Sequence, residues 1–192
     1  GLFGASNLTV ISGVGSTLSN RLNLIVGFSG AGNQLIVTNG AVVADAEDGF
    51  LGHDPGSSNN VAVVTGAGSL WTNGGALLLG YQDNRNQLVV SNGGRVVNGI
   101  AHIGYFSISD NNLAVVTEAG SVWSNRNMLT VGFDGSDNRL MISNGGLVSA
   151  TNIQVGLTSL SANNRVEVTG GGRLLTASSS IGPSANGNTI LV

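Results

Sequence analysis

Ten acidic side chains, seven arginines and two histidines are the ionisable side chains with which 192 residues could do acid–base or metal chemistry. The densest group is Asp45, Glu47, Asp48 and Asp54, with His53 beside the last. Oxygen-rich clusters can hold Ca2+, and carboxylates facing each other across a groove can cleave glycosidic bonds. The repeated Gly-Gly-x-Gly-x-Asp pattern of calcium-binding β-rolls is missing, so this group reads as a solvated, charged loop. The stretch from Gly132 to Asn138, with Asp134 and Asp137, has the oxygen content of a cation loop but aligns with the turns at 27–33 and 80–86. Asp83 and Asp110 join Asp134 and Asp137 along one edge, where solvated loops belong. His53 and His102 fall in different columns of the repeat described below. There is no cysteine, no Ser-His-Asp arrangement and no P-loop, and without lysine there is no Schiff-base chemistry. The sequence therefore predicts no catalytic residue, no cofactor-binding residue and no metal ligand. Trp71 and Trp123 could stack on sugar rings if exposed, but they read as corner-packing residues.

What positions these side chains is a repeat. Asparagine recurs at positions 7, 33, 60, 86, 112, 138, 164 and 188, and each opens nearly the same phrase. An apolar, β-branched run follows, then Ser or Thr, then a Gly-rich turn. A later apolar run ends at Gly27, Gly52, Gly80, Gly104, Gly132, Gly156 or Gly182. A fixed period near 26 residues marks a solenoid, in which stacked units bury a core that none can bury alone. Three short strands and three corners per unit predict a right-handed parallel β-helix of about seven coils, about 34 Å long at one strand spacing per coil.

The columns define the faces. Four residues after each Asn stand Ile11, Val37, Val64, Val90, Val116, Ile142, Val168 and Val192, so this column is predicted to point inward. Two residues after the Asn, Leu and Ala alternate through the middle coils (Leu35, Ala62, Leu88, Ala114 and Leu140), as expected of interlocking large and small core side chains. That alternation belongs to a 52-residue superperiod, in which Trp71 and Trp123 recur. The Asn column is expected to stack at one corner with its amides bonded along the axis. Ser12, Thr38, Thr65, Ser91, Thr117, Ser143 and Thr169 form a parallel hydroxyl row.

Composition narrows the function. Charged residues make up 9% of the chain and the net charge is −3. The arginines (21, 85, 95, 126, 139, 165 and 173) are scattered, so no basic stripe could track a phosphate backbone, and nucleic acid is not an expected partner. No apolar run is long enough to span a membrane. The chain starts at Gly1 without Met or a signal peptide and reads as part of something longer, a single β-solenoid domain over 1–192 that belongs to, or is a subunit in, a longer array.

The strings VTGAGSLW, LVVSNGGRVV, IGY and VGF resemble the repeat associated with autotransporter (type V secretion) passengers and PEP-CTERM-sorted bacterial exoproteins. Gly68-Ser69 with Trp71, Gly120-Ser121 with Trp123, Ser91-Asn92-Gly93-Gly94 and Ser143-Asn144-Gly145-Gly146 carry its most specific part. Leu18 and Leu175 replace Trp in the first and last coils. The resemblance implies a secreted or cell-surface β-helix and supplies no catalytic residues.

The expected function is structural: an extracellular or bacterial-surface solenoid acting by self-assembly or adhesion. The alternative is a carbohydrate-binding or carbohydrate-cleaving β-helix, with surface polysaccharide as partner. If the second and fourth positions point inward, the third points out. There stand Val10, Ile36, Val63, Val89, Val115, Met141, Glu167 and Leu191, an apolar row expected to be covered by another chain or a terminal segment. End-to-end association is also expected, through Asn7, Leu8 and Val10 in the first strand and Asn188, Ile190 and Val192 in the last.

Overall fold

Each apolar run that follows a repeated Asn forms a strand in the computed structural model, which describes residues 3–182 and 185–192. Coil 1 contributes β1 (Leu8–Ser12), β2 (Thr17–Asn20) and β3 (Leu24–Val26); coil 2 contributes β4 (Gln34–Thr38), β5 (Val42–Asp45) and β6 (Gly49–Leu51). Coil 3 repeats the trio as β7 (Val61–Thr65), β8 (Leu70–Asn73) and β9 (Ala76–Leu79). Coil 4 follows with β10 (Gln87–Ser91), β11 (Arg95–Asn98) and β12 (Ile100–Ile103), and coil 5 with β13 (Leu113–Thr117), β14 (Val122–Asn125) and β15 (Met128–Val131). Coil 6 holds β16 (Arg139–Ser143) and a long β17 (Leu147–Val155); coil 7 holds β18 (Arg165–Val168) and β19 (Arg173–Ile181), and β20 (Thr189–Leu191) opens an eighth. No helix occurs among the described residues, hence none long and apolar enough to cross a membrane.

All pairing is parallel and runs coil to coil. The first strands form an eight-strand stack, β1-β4-β7-β10-β13-β16-β18-β20. The second and third strands form two stacks that β17 and β19 join, because in coils 6 and 7 one nine-residue strand replaces two. The reason is local. In coil 4 the Asn98 side chain donates to the Ile100 carbonyl at 2.6 Å and breaks the strand into a corner. Ala150 stands at that step in coil 6, has no such group, and the strand runs on.

The repeated asparagines hold the coils in register. Each Oδ1 accepts the backbone N–H of the Asn one coil earlier, at 2.8–3.1 Å, from Asn7 onto Asn33 through to Asn164 onto Asn188. In four of these steps the earlier amide Nδ2 also donates to the same oxygen. Beside them sit the repeated glycines. A Cβ on Gly80, whose φ is +71°, would lie 2.2 Å from Asn112 Nδ2, so the Asn column requires glycine there.

The second and fourth positions do point inward: Leu35, Ala62, Leu88, Ala114 and Leu140 are buried, as are Val37, Val64, Val90, Val116 and Ile142. Only the end coils depart, where Thr9 and Val192 are exposed for want of a neighbouring coil. The superperiod is volume compensation. Coils 3 and 5 pair a small first-strand residue (Ala62, Ala114) with Trp71 or Trp123 on the second strand. Coil 4 reverses this with Leu88 and Val96, and its third strand brings Ala101. Gly49 serves the same end in coil 2, since a Cβ there would stand 3.0 Å from the Trp71 ring.

Candidate functional site

The row expected to face outward does so. Across β4, β7, β10, β13 and β16, Ile36, Val63, Val89, Val115 and Met141 are half-buried between buried neighbours, while Val10 is 49% and Leu191 44% exposed at the ends. No strand packs on this face from outside among the described residues. The half-burial of the row comes from the side chains beside it. Flanking positions on the same face hold Gln34, Val61, Gln87 and Leu113 on one side and the Ser/Thr row on the other. Parts of that hydroxyl row are linked: Ser91 donates to Thr65 and Ser143 to Thr117, each at 3.0 Å. The outward positions of β1, β4, β7, β10 and β13 bear no charge. Charge begins at coil 6, where Glu167 accepts from Arg139 at 3.0 Å and pairs with Arg165.

A second feature was not anticipated. Of nine aromatic residues, Phe28, Phe50, Tyr81, Tyr105, Phe106 and Phe133 gather on the flank of the third strands, together with both histidines. Phe28 stacks on His53 (4.9 Å between ring centroids, 11° between planes), His53 lies 5.1 Å from Tyr81 and Tyr81 5.4 Å from Tyr105, and Tyr105 stacks on Phe133 at 4.7 Å. This ladder covers Phe50, Leu78, His102 and Thr130, which point away from the main core yet are buried. It also bounds a cleft of about 240 Å³ lined by Asp48, Ala76 and Ile100 on one side and Tyr81 and Tyr105 on the other. Burial lowers the His102 pKa to about 4, and its Nδ1 and the Thr130 hydroxyl one coil on have no hydrogen-bond partner. The readable signal was the residue directly after the first five of the seven repeated glycines: Phe28, His53, Tyr81, Tyr105 and Phe133.

The acidic cluster is not one solvated loop. Asp45 is buried at the end of β5, where Trp71 Nε1 and Asn20 Nδ2 each donate to it at 2.8 Å, and burial raises its pKa. Asp48 accepts the Ala76 N–H at 2.6 Å, Asp54 pairs with His53 Nδ1 at 2.7 Å, and Glu47 is exposed. Among the described residues no three His, Asp or Glu side chains converge in a metal-holding group. On the loop edge, Asp83 accepts from Gly56 N–H and Asp110 from Ser136 N–H, each tying one coil's turn to the next. Both tryptophans are fully buried in the core, not at a corner, and offer no face to a sugar.

At the two ends the core opens. Leu18, Leu24 and Leu35 line a cavity of about 560 Å³ beside β1, where Asn7 and Leu8 are exposed. Leu174, Leu175 and Ile190 line one of about 400 Å³ beside β20, where Asn188 is buried under Gly156. Each outer strand leaves one edge free to pair with a further coil.

Comparison with known proteins gives one distant likeness. Over 122 residues, 62% of this chain, it is 30% identical to the adhesin BmaC autotransporter of Brucella suis biovar 1 (strain 1330), of which the match spans 4%. No family model and no solved structure matches the chain.

Proposed function

We propose that this chain is a rigid β-solenoid segment displayed on a bacterial surface, and that it works by adhesion and assembly through the outward face of its first-strand stack. The observation that carries this reading is that face itself: uncharged over five coils, apolar along its central row, and uncovered. Exposed apolar rows of this extent on a soluble fold mark contact surfaces. The partial likeness to an autotransporter adhesin supports the surface role. Assembly along the axis is the accompanying mode, with β20 of one copy extending the ladder onto β1 of another. Deleting 188–192 tests it, because filaments would vanish while the rod stays folded.

The carbohydrate reading draws less support. Both tryptophans are buried, the carboxylates do not converge, and the stacked pairs of the aromatic ladder turn ring faces toward each other.

The test is adhesion of beads coated with the purified chain to host cells and to bacteria. Asp at Val63 and Val115 is expected to remove adhesion while the strand-rich circular dichroism spectrum is unchanged. Undiminished adhesion in that variant would assign the activity to another face.

A further inference from the structure

We infer that the outward face of the first-strand stack is a self-association surface on which a second copy of this chain docks antiparallel, with Val89 of one copy against Val89 of the other. The inference rests on the reading of this face as the contact surface and names its partner.

Three observations select a second copy. The first is period. Rows on this face recur at the strand spacing, ~4.8 Å, so each row of one copy meets a row of another over every overlapping coil. A partner lacking that period matches one or two rows. The second is neutrality: apolar row and hydroxyl row alternate without charge from coil 1 to coil 5, so the central coils 3–5 of two such faces meet without desolvating ions. The third is area. With Val89 of coil 4 at the centre, coils 1–7 overlap, so strands of five residues over six coil steps give about 16 by 29 Å, about 460 Å² per copy and about 930 Å² for a pair. That lies below the ~1,200 Å² at which specific stable interfaces begin. A single pair is therefore weak, and many copies fixed side by side on one surface gain by avidity.

Charge selects the direction. Arg139 and Arg165 flank Glu167 at the C-terminal end of the face. Two copies running the same way would set Glu167, in the central row, against its own counterpart. Turned about Val89, seven of the eight first strands overlap, Glu167 meets Val10, and Arg139 and Arg165 meet the neutral coils 1 and 2. In that pose Val63 meets Val115 and Ile36 meets Met141, a self-complementary twofold contact.

The experiment uses sedimentation equilibrium and cross-linking. The wild type is expected to show concentration-dependent dimers. Val89→Asp puts two carboxylates together at the twofold centre and should weaken association at least about tenfold. Val89→Thr, which keeps a β-branched strand residue, should weaken it less, and unchanged circular dichroism in both excludes unfolding as the cause. The chain has no cysteine. With a short bismaleimide, Val89→Cys should cross-link with itself, whereas Met141→Cys should cross-link only when mixed with Ile36→Cys. Self-linkage of Met141→Cys would show parallel copies and overturn the orientation. A wild type that stays monomeric to millimolar concentration overturns the inference entirely. If monomers still adhere to cells, the adhesive reading survives that failure; dimers without adhesion leave the inference standing and sink the reading.

Discussion

Trp71 donates its indole N–H to Asp45 at 2.8 Å, and one superperiod along the rod Trp123 donates to Asn98 at the same distance. Asp45 is thus the one acid in a second ladder of side-chain amides, Asn20, Asp45, Asn73, Asn98 and Asn125, at the ends of the second strands. Burial raises its pKa, and the bonds from Trp71 and Asn20 only partly offset that. The stabilising contribution of its protonated form is complete below the ordinary carboxylate value of 3.8 and is lost as pH rises through the folded-state pKa. Ionising Asp45 in the folded rod therefore costs stability that the unfolded chain does not lose.

Asp45→Asn is expected to stabilise the rod by about 1 kcal/mol at neutral pH, because the amide oxygen can still accept from Trp71 as Asn98 accepts from Trp123. Urea denaturation at neutral pH measures the gain, which should shrink towards acid. A loss of stability at neutral pH would mean that the ionised carboxylate is needed.

His102 titrates in the opposite sense. Its folded-state pKa of about 4 lies below the ordinary 6.5, because burial disfavours the charged ring. Its contribution is intact above 6.5 and is lost as pH falls towards 4, as the unfolded chain takes up a proton that the folded chain refuses. The whole loss is about 3 kcal/mol. His102→Leu copies Leu78 from the same outward column and should abolish this acid sensitivity. Stability of the two proteins compared across that pH interval is the check; parallel curves would remove His102 as the cause.

Asn112 tests the main ladder. Its Oδ1 accepts the buried Asn86 N–H at 2.8 Å, and its Nδ2 donates to Asn138 Oδ1 at 3.1 Å. Asn112→Ala leaves the Asn86 amide without a partner and opens space beside Gly80. A loss of about 3 kcal/mol is expected by chemical denaturation, well above the typical surface substitution. Asn92→Ala, at an exposed turn, should cost less than half as much.

The coil boundaries, the inward columns and the outward row were legible because all are counted from the repeated Asn, whose spacing is nearly constant and whose hydrogen bonds enforce it. The second amide ladder and the aromatic flank were not, because they are counted from the corner before the third strand and from the repeated Gly. Those intervals alternate between short and long coils, so Phe28, His53, Tyr81, Tyr105 and Phe133 fall out of step when aligned on Asn. The fate of Asp45 was hidden for a related reason. In sequence it neighbours Glu47 and Asp48 and looks solvated; only stacking brings Trp71 over it, one coil later. The tryptophans likewise looked like corner residues until the alternation of Ala62 and Leu88 was seen to make room for them inside.

Tyr81 is the centre of the aromatic flank, with ring centroids of Phe50, His53, Tyr105 and Phe106 within 5.6 Å. Tyr81→Ala removes a ring from this outer layer and uncovers Phe50, so a loss of about 3 kcal/mol is expected. The flank also separates a scaffolding role from a sugar-binding one. A pyranose needs an open ring face, but Phe28 and His53 stack at 11° and Tyr105 and Phe133 at 21°, so each of these pairs closes ring faces against each other. Tyr81→Phe should therefore leave stability within about 0.5 kcal/mol of wild type and leave adhesion unchanged. Soluble polysaccharides should neither compete with adhesion nor protect Tyr81 and Tyr105 from iodination. Protection of those rings by a glycan would reverse the assignment and make the flank a carbohydrate site.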